Sequence, residues 1–138
     1  MNRFQFFISY QRTDASWARE FADSLRKRGA SVWFDQYQIR GGDIWTDAIE
    51  EGLRGSEYLV PVITAENLGS PNLLFELGAA IGMRKKIVPI VSEDLPPSSL
   101  PRESRIRQYL VRHSPEATAD ELVSQTAPLP GEPAPASA

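Results

Sequence analysis

Short apolar segments alternate with amphipathic segments along the chain. The apolar segments are rich in β-branched and aromatic residues and lack polar alternation, which is typical of strands buried on both faces of a parallel sheet. They lie at residues 4–10, 32–34, 58–63, 87–91 and, more weakly, 108–111. The pattern predicts five strands.

Four amphipathic segments with helical period lie between or after these strands. Capping residues and glycines bound them. We predict helices from Thr13 or Asp14 to Gly29, from Asp43 to Gly55, from about Asn72 to Arg84, and from Ser114 to about Gln125. In the third helix, Leu74, Leu77 and Ile81 have the spacing of a core-facing stripe.

The alternation of strand and helix predicts an α/β fold with a doubly wound sheet. Parallel strands are joined by right-handed crossovers, so the expected architecture is flavodoxin-like: five parallel strands in the order 2-1-3-4-5, with helices on both faces. Such sheets bind ligands beyond the carboxyl ends of the strands where the order reverses, here between strands one and three. This rule selects residues 11–14, 35–43 and 64–76 as the candidate binding segments.

The end of the chain has a different composition. Residues 127–138 hold four of the 11 prolines among Ala, Gly and Ser, and such a segment buries too little apolar surface to order itself. We therefore predict one domain at residues 1–126, followed by a disordered tail or linker at residues 127–138. A linker implies a further domain beyond it.

Charge and composition exclude several classes of function. The 138 residues carry a net charge of -3, which gives no long-range attraction for nucleic acid, and no apolar run is long enough to span a membrane. Arg84, Lys85 and Lys86 are basic, but cations are favoured at a helix C-terminus without any ligand. With no cysteine and His113 as the single histidine, we expect no metal site. The start of the chain lacks the pattern of a signal peptide, so the expected compartment is the cytoplasm.

Glu76 is the most informative single residue. The predicted topology places it about one turn inside a helix that begins at the switch point, among Leu73, Leu74 and Leu77. An acid there is either a charge favoured by the helix dipole or a catalytic group at the mouth of a cleft. The residues alone leave both interpretations open.

Several segments resemble TIR (Toll/interleukin-1 receptor) domains. Phe6-Phe7-Ile8-Ser9-Tyr10, followed by Arg12, Thr13 and Asp14, resembles the family's first box, and Val32-Trp33-Phe34-Asp35 resembles its second strand. Residues 39–44 resemble the BB loop, and residues 70–78 resemble the segment that carries the catalytic glutamate of bacterial members that cleave NAD⁺. The resemblance covers about residues 4–125 in the right order. Many catalytic members have a tryptophan four residues before the glutamate, where this chain has Asn72.

The resemblance implies that Glu76 is catalytic and that NAD⁺ is a substrate, with no cofactor. Nicotinamide is a cationic leaving group that departs neutral, so a carboxylate that stabilises positive charge on the ribose is sufficient. The expected products are nicotinamide and linear or cyclised ADP-ribose.

Further residues have a functional and a structural interpretation each. Tyr10 can stack on a substrate ring or close its strand, Arg12 can bind phosphate or remain solvated, and Asp35 can orient a ribose or cap a turn. Asn72 is also a candidate for substrate binding. By resemblance, the BB loop residues Ile39, Arg40, Gly41 and Gly42 serve assembly and gating, and Trp45 contacts another TIR subunit; a flexible turn and an amphipathic helix are the competing interpretations.

Three functional classes follow. The first is an NAD⁺ glycohydrolase or cyclase that is active when TIR-TIR self-association completes its cleft. In this class the domain is the effector of a bacterial immune (anti-phage) protein, and a sensor domain follows the linker. The second is a non-catalytic TIR adaptor. The third is a relative of the nucleoside deoxyribosyltransferases that binds a nucleotide. The acid at the switch point favours the first class, and the absence of a glycine-rich phosphate loop disfavours the third.

Overall fold

A computed structural model of the chain describes residues 3–34, 45–99 and 109–127. The strands are β1 (Phe4–Ser9), β2 (Val32–Phe34), β3 (Ser56–Ile63), β4 (Lys86–Ile87), β5 (Ile90–Val91) and β6 (Leu110–Val111). The helices are α1 (Ala15–Lys27), α2 (Trp45–Arg54), α3 (Pro71–Gly82) and α4 (Pro115–Thr126), with short 3-10 turns at Arg12–Asp14 and Pro97–Ser99. None of the helices in these ranges combines the length and apolar character that crossing a bilayer requires.

The sheet is parallel throughout the described ranges. Its order is β2-β1-β3-β5-β6, and β4 also pairs with β3. The predicted α/β class is confirmed, but the predicted fourth strand is divided into β4 and β5. Val88 N–H donates to the Leu59 carbonyl at 2.9 Å, whereas Pro89 has no N–H to donate and its carbonyl accepts from Leu110 N–H at 2.8 Å. Two short strands therefore occupy the place of one, and both pair with β3.

One face of the sheet packs against α1 and α4. Phe6 and Ile8 of β1 lie in the same buried cluster as Phe21 and Leu25 of α1 and Leu122 of α4. All five are fully buried. Alternate residues of β1 therefore supply this half of the core.

The opposite face packs against α2 and α3. The rings of Phe7 and Trp33 stack there with centroids 4.4 Å apart and planes 5° from parallel. Leu53 of α2 and Leu77 of α3 belong to the same cluster. A Cβ on Gly52 would lie 2.6 Å from Trp33 Cε2, so only glycine lets α2 approach the ring this closely. Helices on both faces are thus confirmed, and Trp33 is a core residue.

The start of α1 differs from the capping prediction. Asp14 precedes the helix, but its side chain makes no capping bond, and Oδ1 accepts from Arg112 Nη1 at 2.8 Å instead. A tertiary ion pair has replaced a local cap. Gly29 follows the helix with a φ of 87°, a value that favours glycine, in agreement with its predicted role.

The limits and the buried side of α3 also differ from expectation. Ser70 caps the helix by accepting from Leu73 N–H at 3.1 Å, and the helix ends at Gly82, not at Arg84. The predicted core stripe was wrong at two of three positions, because Leu74 and Ile81 are exposed. The residues that α3 buries are Leu73, Glu76, Leu77 and Ala80.

Candidate active site

Glu76 lies in the second turn of α3 and is buried, with 5% of its surface exposed. The hydroxyl Oγ of Ser9, at the carboxyl end of β1, donates a hydrogen bond to Glu76 Oε1 at 2.5 Å. This length is in the range of hydroxyl–carboxylate bonds, which are stronger than bonds between neutral groups. The fold therefore places a buried carboxylate beside the end of a central strand.

The connection between β3 and α3 determines where Glu76 lies. The buried Asn67 side chain accepts from Thr64 N–H at 2.8 Å and donates to the Val62 carbonyl, also at 2.8 Å. Ser70 N–H donates to the Asn67 carbonyl at 2.9 Å, and Ser70 then caps the helix. These bonds hold the connection at both of its ends, so α3 begins at a defined position relative to β3.

The two interpretations of Glu76 require different positions. A dipole partner belongs in the first turn, where it gains stability while remaining solvated. Glu76 is instead the sixth residue of α3, and the first turn contains no acidic residue. Burying a carboxylate is costly unless it is hydrogen-bonded, and a surface dipole partner avoids that cost. The position of Glu76 therefore favours a functional site.

A second group of contacts joins the loops that follow β1 and β3. Gln11 Nε2 donates to Thr64 Oγ1 at 3.2 Å and to Glu66 Oε2 at 3.1 Å. The structure thus brings together two of the three segments expected at the switch point, residues 11–14 and 64–76. The third, residues 35–43, lies outside the described residues.

The other predicted binding residues occupy different surroundings. Tyr10 is half-buried, and its ring stacks on Phe34 with centroids 4.7 Å apart, on the side of the sheet that faces α1. Arg12 is exposed in the turn after β1. Asn72 is exposed at the second position of α3, one turn before Glu76. Contact of these residues with a substrate stays a prediction.

The remaining predicted site residues lie outside the described residues. These are Asp35 and the BB loop residues Ile39, Arg40, Gly41 and Gly42. Trp45 is the first residue of α2, but its side chain is also outside the description.

The sequence interpretation assigned no role to Ser9, although it is part of the first TIR box. Its position contained a usable signal, because Ser9 follows Phe7 by two residues and therefore shares the sheet face that α3 covers.

The basic run after α3 has structural contacts: Lys85 Nζ donates to the Arg54 carbonyl at 3.0 Å, and Lys86 Nζ lies 5.3 Å from the Tyr58 ring centroid. Within the described ranges, no group of three or more acidic or histidine side chains could hold a metal ion.

The arrangement can be compared with known proteins. A model of the TIR domain matches residues 6–123, which include most of β1 and the whole of β3 and α3. The chain belongs to the TIR domain family.

Two bacterial relatives of this TIR domain are named as enzymes. It is 28% identical over 92 residues to the 2' cyclic ADP-D-ribose synthase AbTIR of Acinetobacter baumannii. The aligned residues cover 63% of this chain and 34% of the relative. It is 36% identical over 59 residues to the NAD(+) hydrolase PdTIR of Paracoccus denitrificans, which covers 42% of the chain and 20% of the relative. The chain thus spans about a third or less of these relatives.

A solved structure supports the fold. The TIR-STING receptor from C. gigas superposes with a TM-score of 0.75 at 22% identity, covering 93% of this chain and 42% of that one. At this identity the likeness concerns the fold of the TIR domain alone.

Proposed function

We propose that this TIR domain cleaves NAD⁺ between nicotinamide and ribose, with Glu76 as the catalytic residue. The observation that carries the proposal is the buried carboxylate of Glu76, bound by Ser9 at the carboxyl edge of the sheet. The names of the relatives, an NAD(+) hydrolase and a cyclic ADP-D-ribose synthase, support the same substrate.

The reaction needs little beyond one carboxylate. The bond between the anomeric carbon of the ribose and the nicotinamide nitrogen breaks, and its electron pair stays with the nitrogen, so nicotinamide leaves as a neutral molecule. The ribosyl carbon gains cationic character, which the negative charge of Glu76 stabilises. Water then attacks that carbon and releases a proton to give ADP-ribose, or a group within the same molecule attacks to give a cyclised product. Because the leaving group needs no protonation, the acid partner of glycoside hydrolases is unnecessary.

Self-association is part of the proposal. α3 exposes Leu74, Phe75 and Ile81 at 50, 42 and 40% of their surface, and clustered apolar side chains are typical of contact surfaces. We place residues 39–42 of one copy at the cleft of the next, with activity dependent on assembly. In this proposal the domain is the cytoplasmic effector of a bacterial immune protein, with a sensor beyond residues 127–138.

The test is release of nicotinamide from NAD⁺ by concentrated protein and by protein clustered on beads. Wild-type protein should turn over, and Glu76→Gln should lose at least about 100-fold in kcat, because the charge that stabilises the ribosyl cation is removed. Glu20→Gln, the same change on an exposed site of α1, is the control and should retain full activity.

Three outcomes separate the alternatives. Equal turnover by wild type and Glu76→Gln removes Glu76 from the mechanism. Absence of turnover at every concentration and in the clustered form favours a TIR adaptor. Specific activity that stays constant over a dilution series, with a monomer throughout, contradicts the need for assembly.

A further inference from the structure

Ser9 stands out among the buried polar side chains near the site. It is the last residue of β1, it is 9% exposed, and its hydroxyl donates to Glu76 Oε1. β1 is an interior strand of the sheet, since it pairs with β2 on one side and with β3 on the other. The Ser9 hydroxyl is therefore held by a central strand of the sheet.

A glutamate side chain has several rotatable bonds, so burial alone does not define the direction of its carboxylate. One hydrogen bond from a rigid donor restricts the position of one oxygen and the plane of the group. Such preorganisation increases rate because the charged group does not reorganise when substrate binds. A hydroxyl is suited to this task, because it binds the carboxylate without neutralising its charge.

We infer that Ser9 is a positioning residue, whose hydroxyl fixes Glu76 Oε1 so that the carboxylate is aligned before NAD⁺ binds. This inference rests on the proposed function of Glu76. It adds a second role to the site: Glu76 stabilises the ribosyl cation, and the Ser9 hydroxyl orients the Glu76 carboxylate. Ser9 itself touches no reacting atom.

A purely structural role makes a different prediction. If Ser9 only satisfies a buried carboxylate, its loss should lower the melting temperature and leave kcat per folded molecule unchanged. If it aligns Glu76, kcat should fall while KM for NAD⁺ changes little, because alignment matters most in the transition state.

The chain offers a matched control. Ser56 is also a buried strand serine, 1% exposed, and its hydroxyl donates to the Gly52 carbonyl at 2.6 Å. It lies at the opposite end of the sheet, since it begins β3 and pairs with Phe4. Ser56→Ala therefore removes a buried strand hydroxyl without touching Glu76.

The experiment measures kcat and KM for nicotinamide release by wild type, Ser9→Ala, Ser9→Thr and Ser56→Ala, together with melting temperatures. Ser9→Ala should lose about 10- to 100-fold in kcat with KM within about twofold. Ser9→Thr keeps the hydroxyl and should recover most of the rate. Ser56→Ala should keep wild-type kcat even if its melting temperature falls.

Wild-type kcat in Ser9→Ala overturns the inference, and so does an equal loss of kcat in Ser56→Ala or a failure of Ser9→Thr to recover activity. Crystal structures of wild type and Ser9→Ala give a readout independent of NAD⁺ cleavage. If wild type shows no turnover, the proposed function fails. A Glu76 carboxylate that shifts or disorders in Ser9→Ala still supports positioning by Ser9, whereas an unmoved carboxylate overturns it.

Discussion

Helices α1 and α3 cover opposite faces of the same sheet, and they distribute polar and apolar residues in opposite ways. α1 buries Phe21 and Leu25 and exposes Arg19, Glu20 and Asp23. This is the ordinary pattern of an amphipathic helix on a water-soluble domain.

α3 has the reverse arrangement. Its one charged residue, Glu76, is buried, and its exposed side includes Leu74, Phe75 and Ile81. Neither feature increases the stability of an isolated domain. Burying a charge is costly, and apolar side chains that remain exposed contribute no hydrophobic stabilisation. Folding alone therefore explains the pattern of α1, whereas the pattern of α3 is the one expected if the proposed reaction and contact surface are correct.

The largest difference in stability should appear when one leucine on each helix is truncated. Leu25→Ala removes a side chain with no exposed surface and should reduce the free energy of unfolding by about 2–5 kcal/mol. Leu74→Ala removes a side chain that is 50% exposed and should change it by less than about 0.5 kcal/mol. Urea denaturation measures both. Similar losses would mean that the outer side of α3 is packed within the folded monomer and is not a free contact surface.

A carboxylate on the α1 side should be far more important for stability than Glu76. Asp14 Oδ1 accepts from Arg112, whose guanidinium also lies 4.6 Å from the Trp17 ring centroid. We expect Arg112→Ala to lower the free energy of unfolding by about 2–3 kcal/mol, because it leaves a largely buried carboxylate without its cation. The double variant Asp14→Asn with Arg112→Ala should recover part of that loss. No recovery would assign the effect to the ring contact.

Glu76→Gln should abolish turnover with little change in stability. The amide oxygen can still accept from Ser9, and removing a buried charge offsets any weakening of that bond, so the free energy of unfolding should change by less than about 1 kcal/mol. Chemical denaturation next to the activity assay measures the contrast. A loss above about 2 kcal/mol would make Glu76 a structural residue, as Asp14 is.

The smallest effect concerns a surface pair between Arg28, the residue after α1, and Asp120 of α4. The hydrogen bond from Arg28 lowers the pKa of Asp120 below its ordinary value. A lowered carboxyl pKa gives stability that is present above the ordinary pKa and is lost as pH falls through the folded-state value. Asp120→Asn should therefore be slightly less stable than wild type at pH 7. The difference should shrink below about pH 4 and in about 1 M salt. A difference that persists at low pH would exclude the ion pair as its cause.

The order of strands and helices was predictable because burial leaves a strong periodic signal. Continuous apolar runs marked β1, β2 and β3, helical spacing marked α1, and the capping residue Ser114 marked the start of α4. The division of the fourth strand was not predicted, although its cause, Pro89, is a local property of the sequence. The buried side of α3 was mispredicted because almost every position of that helix is apolar or glycine, so spacing does not distinguish its two sides.

The location of the candidate site in the fold was predictable, whereas its hydrogen bonds were not. Topology placed Glu76 at the edge between β1 and β3, and the structure does the same. Alternation along β1 indicates which face Ser9 lies on, but its bond to Glu76 joins residues 67 positions apart, and no local pattern identifies that partner. The same limitation explains Asp14, whose local capping preference is overridden by Arg112, 98 positions later.

The missing side chain at Gly52 has a consequence for any survey that replaces each residue by all others. A Cβ there would lie 2.6 Å from Trp33 Cε2 and 2.9 Å from the Phe7 ring, so two stacked and buried core rings would have to shift. Position 52 should therefore reject every substitution, as an active-site position does. Selection for folded protein alone should reject Gly52→Ala and accept Glu76→Gln, whereas selection for NAD⁺ cleavage should reject both, so comparing the two selections separates a packing position from the proposed catalytic residue.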